Sequence, residues 1–276
     1  NKTMTLNCRG QLVDLSNPKI MGILNITPDS FYDGKKYDSI DKSLRQCEKM
    51  IDEGASFIDL GAISTRPGAG ELTLDIEKKR LLPILEKLLI KFPDCLFSID
   101  TFRSEIAEES LQMGAAIIND VSGGDFDKRM FGVVGKYDSP YVLMHRNGDS
   151  KTMQNNPQYE NIITEIISHL LNKIQVANKN GIKDVIVDVG FGFGKTIEHN
   201  FELLKNIDLF QSLNCPVLTG ISRKSMIWKY LGVSPEKSLN GTTFLHAFAL
   251  QGKSQLLRVH DVKSAKECID LLQALS

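Results

Sequence analysis

Eight short apolar runs punctuate the chain: KIMGIL (19–24), SFIDL (56–60), CLFSI (95–99), AAII (115–118), YVLM (141–144), DVIVD (184–188), PVLTG (216–220) and QLLRV (255–259). They are too short for typical helices and lack strict polar alternation, which predicts strands covered on both faces. Longer segments between them carry apolar residues at helical spacing and end at glycine or an aromatic. Examples are IDKSLRQCEKMIDEG (40–54), DIEKKRLLPILEKLLIKF (75–92), SEIAEESLQMG (104–114) and YENIITEIISHLLNKIQVANKNG (159–181). Strand and helix alternating to the end predict parallel pairing with crossover helices. Eight such strands, with no low-complexity linker and no break in composition, favour an α/β fold built as one (β/α)8 TIM barrel, a single domain over 1–276, against an open doubly wound sheet. The opening segment TLNCRGQLVDL (5–15) alternates around an Arg-Gly turn and predicts a β-hairpin capping the barrel bottom.

Each run gives way to polar chemistry: Asn25, the GAISTRPGA loop (61–69), Asp100, Asn119 with Asp120, His145, Asp188, the SRKS segment (222–225), and Arg258 with His260. In a barrel the C-terminal strand ends converge on one rim, where substrates bind. Singly, each residue has a plainer reading. Asp100 or Asn119 before a helix could be an N-cap, and His145 and His260 could be framework residues. The joint pattern favours a pocket. His169 and His199 in helical sequence and His246 in an apolar stretch read as structural. Arg66 and Arg258, at the mouth, suit bidentate recognition of phosphate or carboxylate.

Charge narrows the ligand class. Lys and Arg number 33 against 34 Asp and Glu, a formal net charge of -1, so no global basic field points to nucleic acid or an anionic membrane. Any anion site must be local. Five scattered cysteines without a C-x-x-C pair argue against a disulfide framework and a thiolate zinc site. No run approaches the ~18 apolar residues of a membrane span and the N-terminal residues lack a signal-peptide core, giving the expectation of a soluble cytoplasmic protein. GFGFGKT (190–196) imitates a nucleotide P-loop, but Val189 stands where that motif needs glycine, and the third glycine comes one residue early for a dinucleotide fingerprint. Its glycines read instead as letting a loop approach a flat ligand, with Phe191 or Phe193 available for stacking.

Taken in order, MGILNITPDSFYDG (21–34), STRPGA (64–69), SIDT (98–101), INDV (118–121), MH (144–145), TMQ (152–154), GFGKT (192–196), GISRKS (220–225), LNGTT (239–243) and RVHDV (258–262) resemble the dihydropteroate synthase family over residues 19–263. The resemblance implies condensation of 6-hydroxymethyl-7,8-dihydropterin pyrophosphate with p-aminobenzoate to give dihydropteroate and pyrophosphate in folate synthesis, by a pterin-binding barrel that acts as a homodimer with Mg2+. It implies a pterin site of Asp100, Asn119, Asp188, Phe193 and Lys224, and a pyrophosphate site of Asn25, Thr65, Arg66, Arg258 and His260. It equally implies a p-aminobenzoate site of Thr65, Arg66, Pro67, Phe193, Lys224 and Ser225, open also to sulfonamides. The metal would sit on Asn25 and Asp33, and the catalytic set would be Asn25, Asp33, Lys224, Arg258 and His260.

The residues support this independently. A pterin offers a donor-rich edge that wants carboxylates and amides, and a pyrophosphate wants cationic forks and a metal. Ala62, Ile63, Val189 and Lys35 depart from the family pattern. Two rival readings are a pterin-binding methyltransferase acting on methyltetrahydrofolate, which needs neither STRPGA nor SRKS, and a pterin-binding barrel without catalysis.

Overall fold

The computed structural model describes residues 4–26, 36–62, 71–148 and 157–276. Its barrel strands are β3 (Lys19–Asn25), β4 (Phe57–Gly61), β5 (Leu96–Asp100), β6 (Ile117–Asp120), β7 (Tyr141–Met144), β8 (Val185–Asp188), β9 (Val217–Thr219) and β10 (Leu256–Val259). Each pairs in parallel with its sequence neighbours, and β10 pairs with β3 to close the barrel. All eight apolar runs are therefore strands. The helices outside are α1 (Lys36–Asp52), α2 (Leu74–Lys91), α3 (Ser104–Met113), α4 (Met130–Lys136), α5 (Ile162–Lys179), α6 (Ile197–Lys205), α7 (Ser225–Leu231), α8 (Leu239–Gln251) and α9 (Val262–Ala274). Local chemistry starts several of them. The Thr73 hydroxyl caps α2 by accepting from the Ile76 amide, Asn161 caps α5 through the Thr164 amide, and Thr196 and His199 form a reciprocal capping box on α6.

Strand side chains alternate between two environments, although the runs look uniformly apolar in sequence. Ile20, Ile58, Phe97, Ile118, Leu143, Val187, Val217 and Leu257 pack against the helices in the larger core. Met21, Phe57, Ile117, Val142, Ile186, Leu218 and Leu256 form a second, inner core. That inner layer is sealed by Leu6, Cys8 and Leu15 from the predicted hairpin, β1 (Thr5–Cys8) with β2 (Gln11–Asp14). The hairpin turn places Arg9 at φ 54° and Gly10 at φ 83°, the left-handed pair that a two-residue turn requires. It is tied across the barrel bottom by the Asn7 amide donating to Asp184 Oδ2 at 2.7 Å and by Arg9 Nη1 donating to the Gly114 carbonyl at 2.6 Å. Burying each large inner side chain contributes roughly 1.5–3 kcal/mol. Two residues further along the same inward rows, the chemistry changes.

Candidate active site

Those next inward positions include Asp59, Asn119, Asp188 and Arg258, joined by Asp100 from β5. Asp100, Asn119 and Asp188 are only 5%, 3% and 6% exposed, so three strands deliver acceptors to one buried place. Neither Asp100 nor Asn119 caps a helix, since α3 starts at Ser104 behind Arg103 and α4 begins only at Met130. Asp59 lies beneath them, fully buried. Its Oδ2 accepts from Arg258 Nε at 2.8 Å and from Asn119 Nδ2 at 3.1 Å, while Arg258 Nη2 sits 3.5 Å from Asp100 Oδ2. Burial and the neighbouring Asp59 push the Asp100 carboxyl up to about 7, against the opposing pull of Arg258. Burial also raises Asp188, offset in part by Lys224 and by the Gly190 amide, which donates to Asp188 Oδ1 at 2.9 Å.

The loop between β8 and α6 wraps around two lysines. Gly190 has φ 74°, and a Cβ there would lie 1.8 Å from the His145 carbonyl oxygen, so only glycine lets these backbones meet. Lys195 Nζ donates to the carbonyls of Gly190 and Phe193, both at 2.9 Å, and burial lowers its pKa to about 7. Lys224 Nζ donates to the Phe191 carbonyl at 2.7 Å and stands 5.1 Å from the Phe193 ring centroid. Burial brings Lys224 down to about 8, with Asp188 opposing the shift. Phe191 is fully buried, which leaves the half-buried Phe193 as the ring open to a ligand.

On the other side of the mouth, β10 and β3 bring His260 and Asn25 to one cavity of about 240 Å3, shared with Ser39, Lys42, Ser43 and Gln46. His260 Nδ1 lies 2.8 Å from Ser222 Oγ, and that oxygen also accepts from the His260 amide at 3.1 Å. Partial desolvation of the ring, reinforced by Arg258, lowers His260 to about 4 although the residue as a whole is exposed, so its imidazole is neutral near pH 7. Ser225 opens α7 directly after Lys224 and is half-buried.

Residues 21–260 match the family described as pterin binding enzyme. The chain is 39% identical to the dihydropteroate synthase of Haemophilus influenzae over 273 residues, 98% of each protein. It superposes on the Yersinia pestis dihydropteroate synthase solved as a sulfonamide drug complex with a TM-score of 0.90, 37% identity and 99% of each chain covered. The Thermus thermophilus enzyme in complex with 4-aminobenzoate gives a TM-score of 0.88, with 37% identity and coverage of 99% of this chain and 100% of that one.

The chain belongs to the dihydropteroate synthase family.

Within that family frame, Asp100, Asn119, Asp188, Phe193, Lys224, Ser225, Arg258, His260 and Asn25 all come to the C-terminal mouth. Asp33, Thr65, Arg66 and Pro67 lie outside the described residues, as do Lys35 and Ile63. The departures Ala62 and Val189 are both buried apolar positions. Two strand-end residues turn away from the mouth. Asp120 is consumed by bonds from the Tyr141 hydroxyl, Ser122 and the Gly124 amide. His145 packs edge-on to His169 of α5 with ring centroids 4.9 Å apart. Arg223 is a clamp, with Nε donating to Asp261 Oδ2 at 2.7 Å and Nη1 to the carbonyls of Pro235 and Glu236.

Asp59 and Lys195 are the site residues that sequence reasoning missed. An acid inside the apolar run SFIDL was the available signal for the first. Lys195 stands inside GFGFGKT, a motif read for its glycines and phenylalanines and not for its lysine.

Among the described residues, no group of three His, Cys, Asp or Glu side chains could cage a metal. The exposed amide of Asn25 and the nearby Ser39 and Ser43 instead offer isolated oxygens, which fits Mg2+ held mainly by phosphate oxygens and water with one or two protein ligands.

Proposed function

We propose that the barrel mouth condenses 6-hydroxymethyl-7,8-dihydropterin pyrophosphate with p-aminobenzoate, releasing pyrophosphate. The observation that carries this reading is the convergence of Asp100, Asn119 and Asp188 beside two cations, Arg258 and Lys224, in an otherwise neutral protein. The three acceptors pair with the amino and ring N–H edge of the pterin. Asp188 uses one oxygen on the Gly190 amide and offers the other to the ring.

The reaction is a displacement at the exocyclic methylene. The carbon–oxygen bond to pyrophosphate breaks, the aryl amine nitrogen forms the new bond to carbon, and the amine gives up a proton to the departing pyrophosphate or to solvent. No protein nucleophile is needed. Buried carboxylates stabilise the electron-poor methylene as the anion departs, and the mouth holds the amine in line. Arg258, His260 and Asn25 receive the leaving group, the neutral imidazole as a hydrogen-bond donor from Nε2 when Nδ1 accepts from Ser222. Mg2+, held by Asn25 and Asp33, would neutralise pyrophosphate charge when bound. Lys224, Phe193 and Ser225, with Thr65, Arg66 and Pro67, receive p-aminobenzoate, and sulfonamides enter the same place. A homodimer is supported by Tyr230 and Leu231 of α7 and Phe244 and Phe248 of α8, apolar residues that are 41–72% exposed.

Pyrophosphate release that requires both substrates is the test of the reaction; release without p-aminobenzoate, or none, would sink it. Asp188→Asn turns an acceptor into an amide facing the donor edge. It is expected to weaken pterin binding by ~1.5–3 kcal/mol or more, read by titration calorimetry.

A further inference from the structure

Asp59 is set too deep to meet a substrate, yet it is not filler. It is fully buried in a barrel interior whose neighbouring lower layer is apolar, and an apolar side chain there would avoid desolvating a charge. Its Oδ2 takes two donors from different strands, Arg258 Nε from β10 and Asn119 Nδ2 from β6. Its Oδ1 is buried with no hydrogen-bond partner among the described residues.

The consequence for Asn119 is a defined amide orientation. The NH2 end is committed to Asp59, and the flipped amide would set carbonyl against carboxylate, so the carbonyl oxygen is the end left for a ligand. For Arg258, the bond at Nε fixes the guanidinium plane and leaves the Nη groups for Asp100 and the mouth. A carboxylate suits this double task because its charge strengthens both bonds at Oδ2 and it has no N–H to turn toward either donor, whereas an asparagine would hold them with a weaker, neutral oxygen and could present its NH2 instead.

We infer that Asp59 is the positioning residue of the pterin pocket, presenting Asn119 as an acceptor and setting the direction of Arg258 with a single oxygen. This rests on the reading of the mouth as a pterin site, and it adds a residue that touches neither substrate. The pocket is thereby arranged before the ligand arrives, which lowers the cost of ordering it on binding.

The test compares Asp59→Asn with wild type for 6-hydroxymethylpterin binding by calorimetry, for KM of each substrate and for thermal unfolding. Pterin affinity of the folded protein is expected to fall by about tenfold or more, with the p-aminobenzoate KM within about twofold and the unfolding temperature lowered, because Arg258 loses its buried carboxylate partner. In an Asn119→Ala, Arg258→Ala background the same substitution is expected to change affinity by less than about twofold, since nothing remains to be positioned. A folded Asp59→Asn protein that binds pterin like wild type overturns the inference, as does a loss that persists in full in the double background. If Asp59→Asn fails to fold, the cycle between Asn119→Ala and Arg258→Ala decides: their effects are expected to be non-additive through the shared oxygen, and additivity overturns it. Wild-type protein that binds no pterin overturns the parent reading and this one together.

Discussion

The lower and upper layers of the barrel interior are built by the same strands, two residues apart. Below, Phe57, Ile117, Ile186, Leu218 and Leu256 fill the space and the hairpin closes it. Above, the same rows carry Asp59, Asn119, Asp188, an open position at Gly220, and Arg258. The lower layer gains by burial, whereas the upper one opposes it. Burial drives Asp100 and Asp188 up and Lys195 and Lys224 down, each shift being a penalty on the charged form. A barrel can carry such a layer because its strands are secured elsewhere, by the lower layer and by the helix-facing core.

The sharpest way to break this division is Phe57→Ala. It is expected to remove ~3–5 kcal/mol of stability in a denaturant titration while leaving pterin affinity of the folded protein unchanged. A parallel loss of affinity would mean the layers are not separable.

Asp100→Asn probes the upper layer from the opposite side. The folded-state pKa of Asp100 is raised from 3.8 to about 7, so across that window the folded protein holds a proton that the unfolded chain has lost. The Asp100 contribution therefore falls as pH rises through the window and is flat above it. The variant is expected to gain in unfolding temperature relative to wild type as pH climbs from about 4 to about 7, while losing pterin affinity; a constant difference across pH would refute the charge penalty.

The smallest effect belongs to the hairpin seal. Gly10→Ala meets no atom within 4 Å, so its cost is conformational, from φ 83°, and about 1 kcal/mol is expected with activity retained. A much larger loss would place the hairpin turn among the main determinants of the lower layer.

The barrel was legible because each strand is a contiguous apolar run and its neighbour in sequence is its neighbour in space. The rim was legible because polar residues sit where those runs stop. Legibility failed where adjacent residues part ways. Asn119 and Asp120 stand side by side, yet one faces the mouth and the other is tied to Tyr141, because successive strand residues point to opposite faces. Arg223 and Lys224 divide likewise, a clamp on Asp261 beside a lysine over Phe193. Helices such as α4 and α7, seven residues each, are shorter than the window in which helical spacing declares itself.

Local pattern alone determined the strands, the longer helices, the hairpin and the set of polar residues at the strand ends, since these depend on hydrophobic period and turn chemistry within a few residues. Tertiary structure decided which of those polar groups meet. Asp59 and Arg258 lie 199 residues apart and touch only because the last strand closes on the first. The choice of Phe193 over Phe191, the orientation of the Asn119 amide and the raised carboxyl of Asp100 are consequences of that closure. Each depends on distances and burial that exist only once all eight strands have come together.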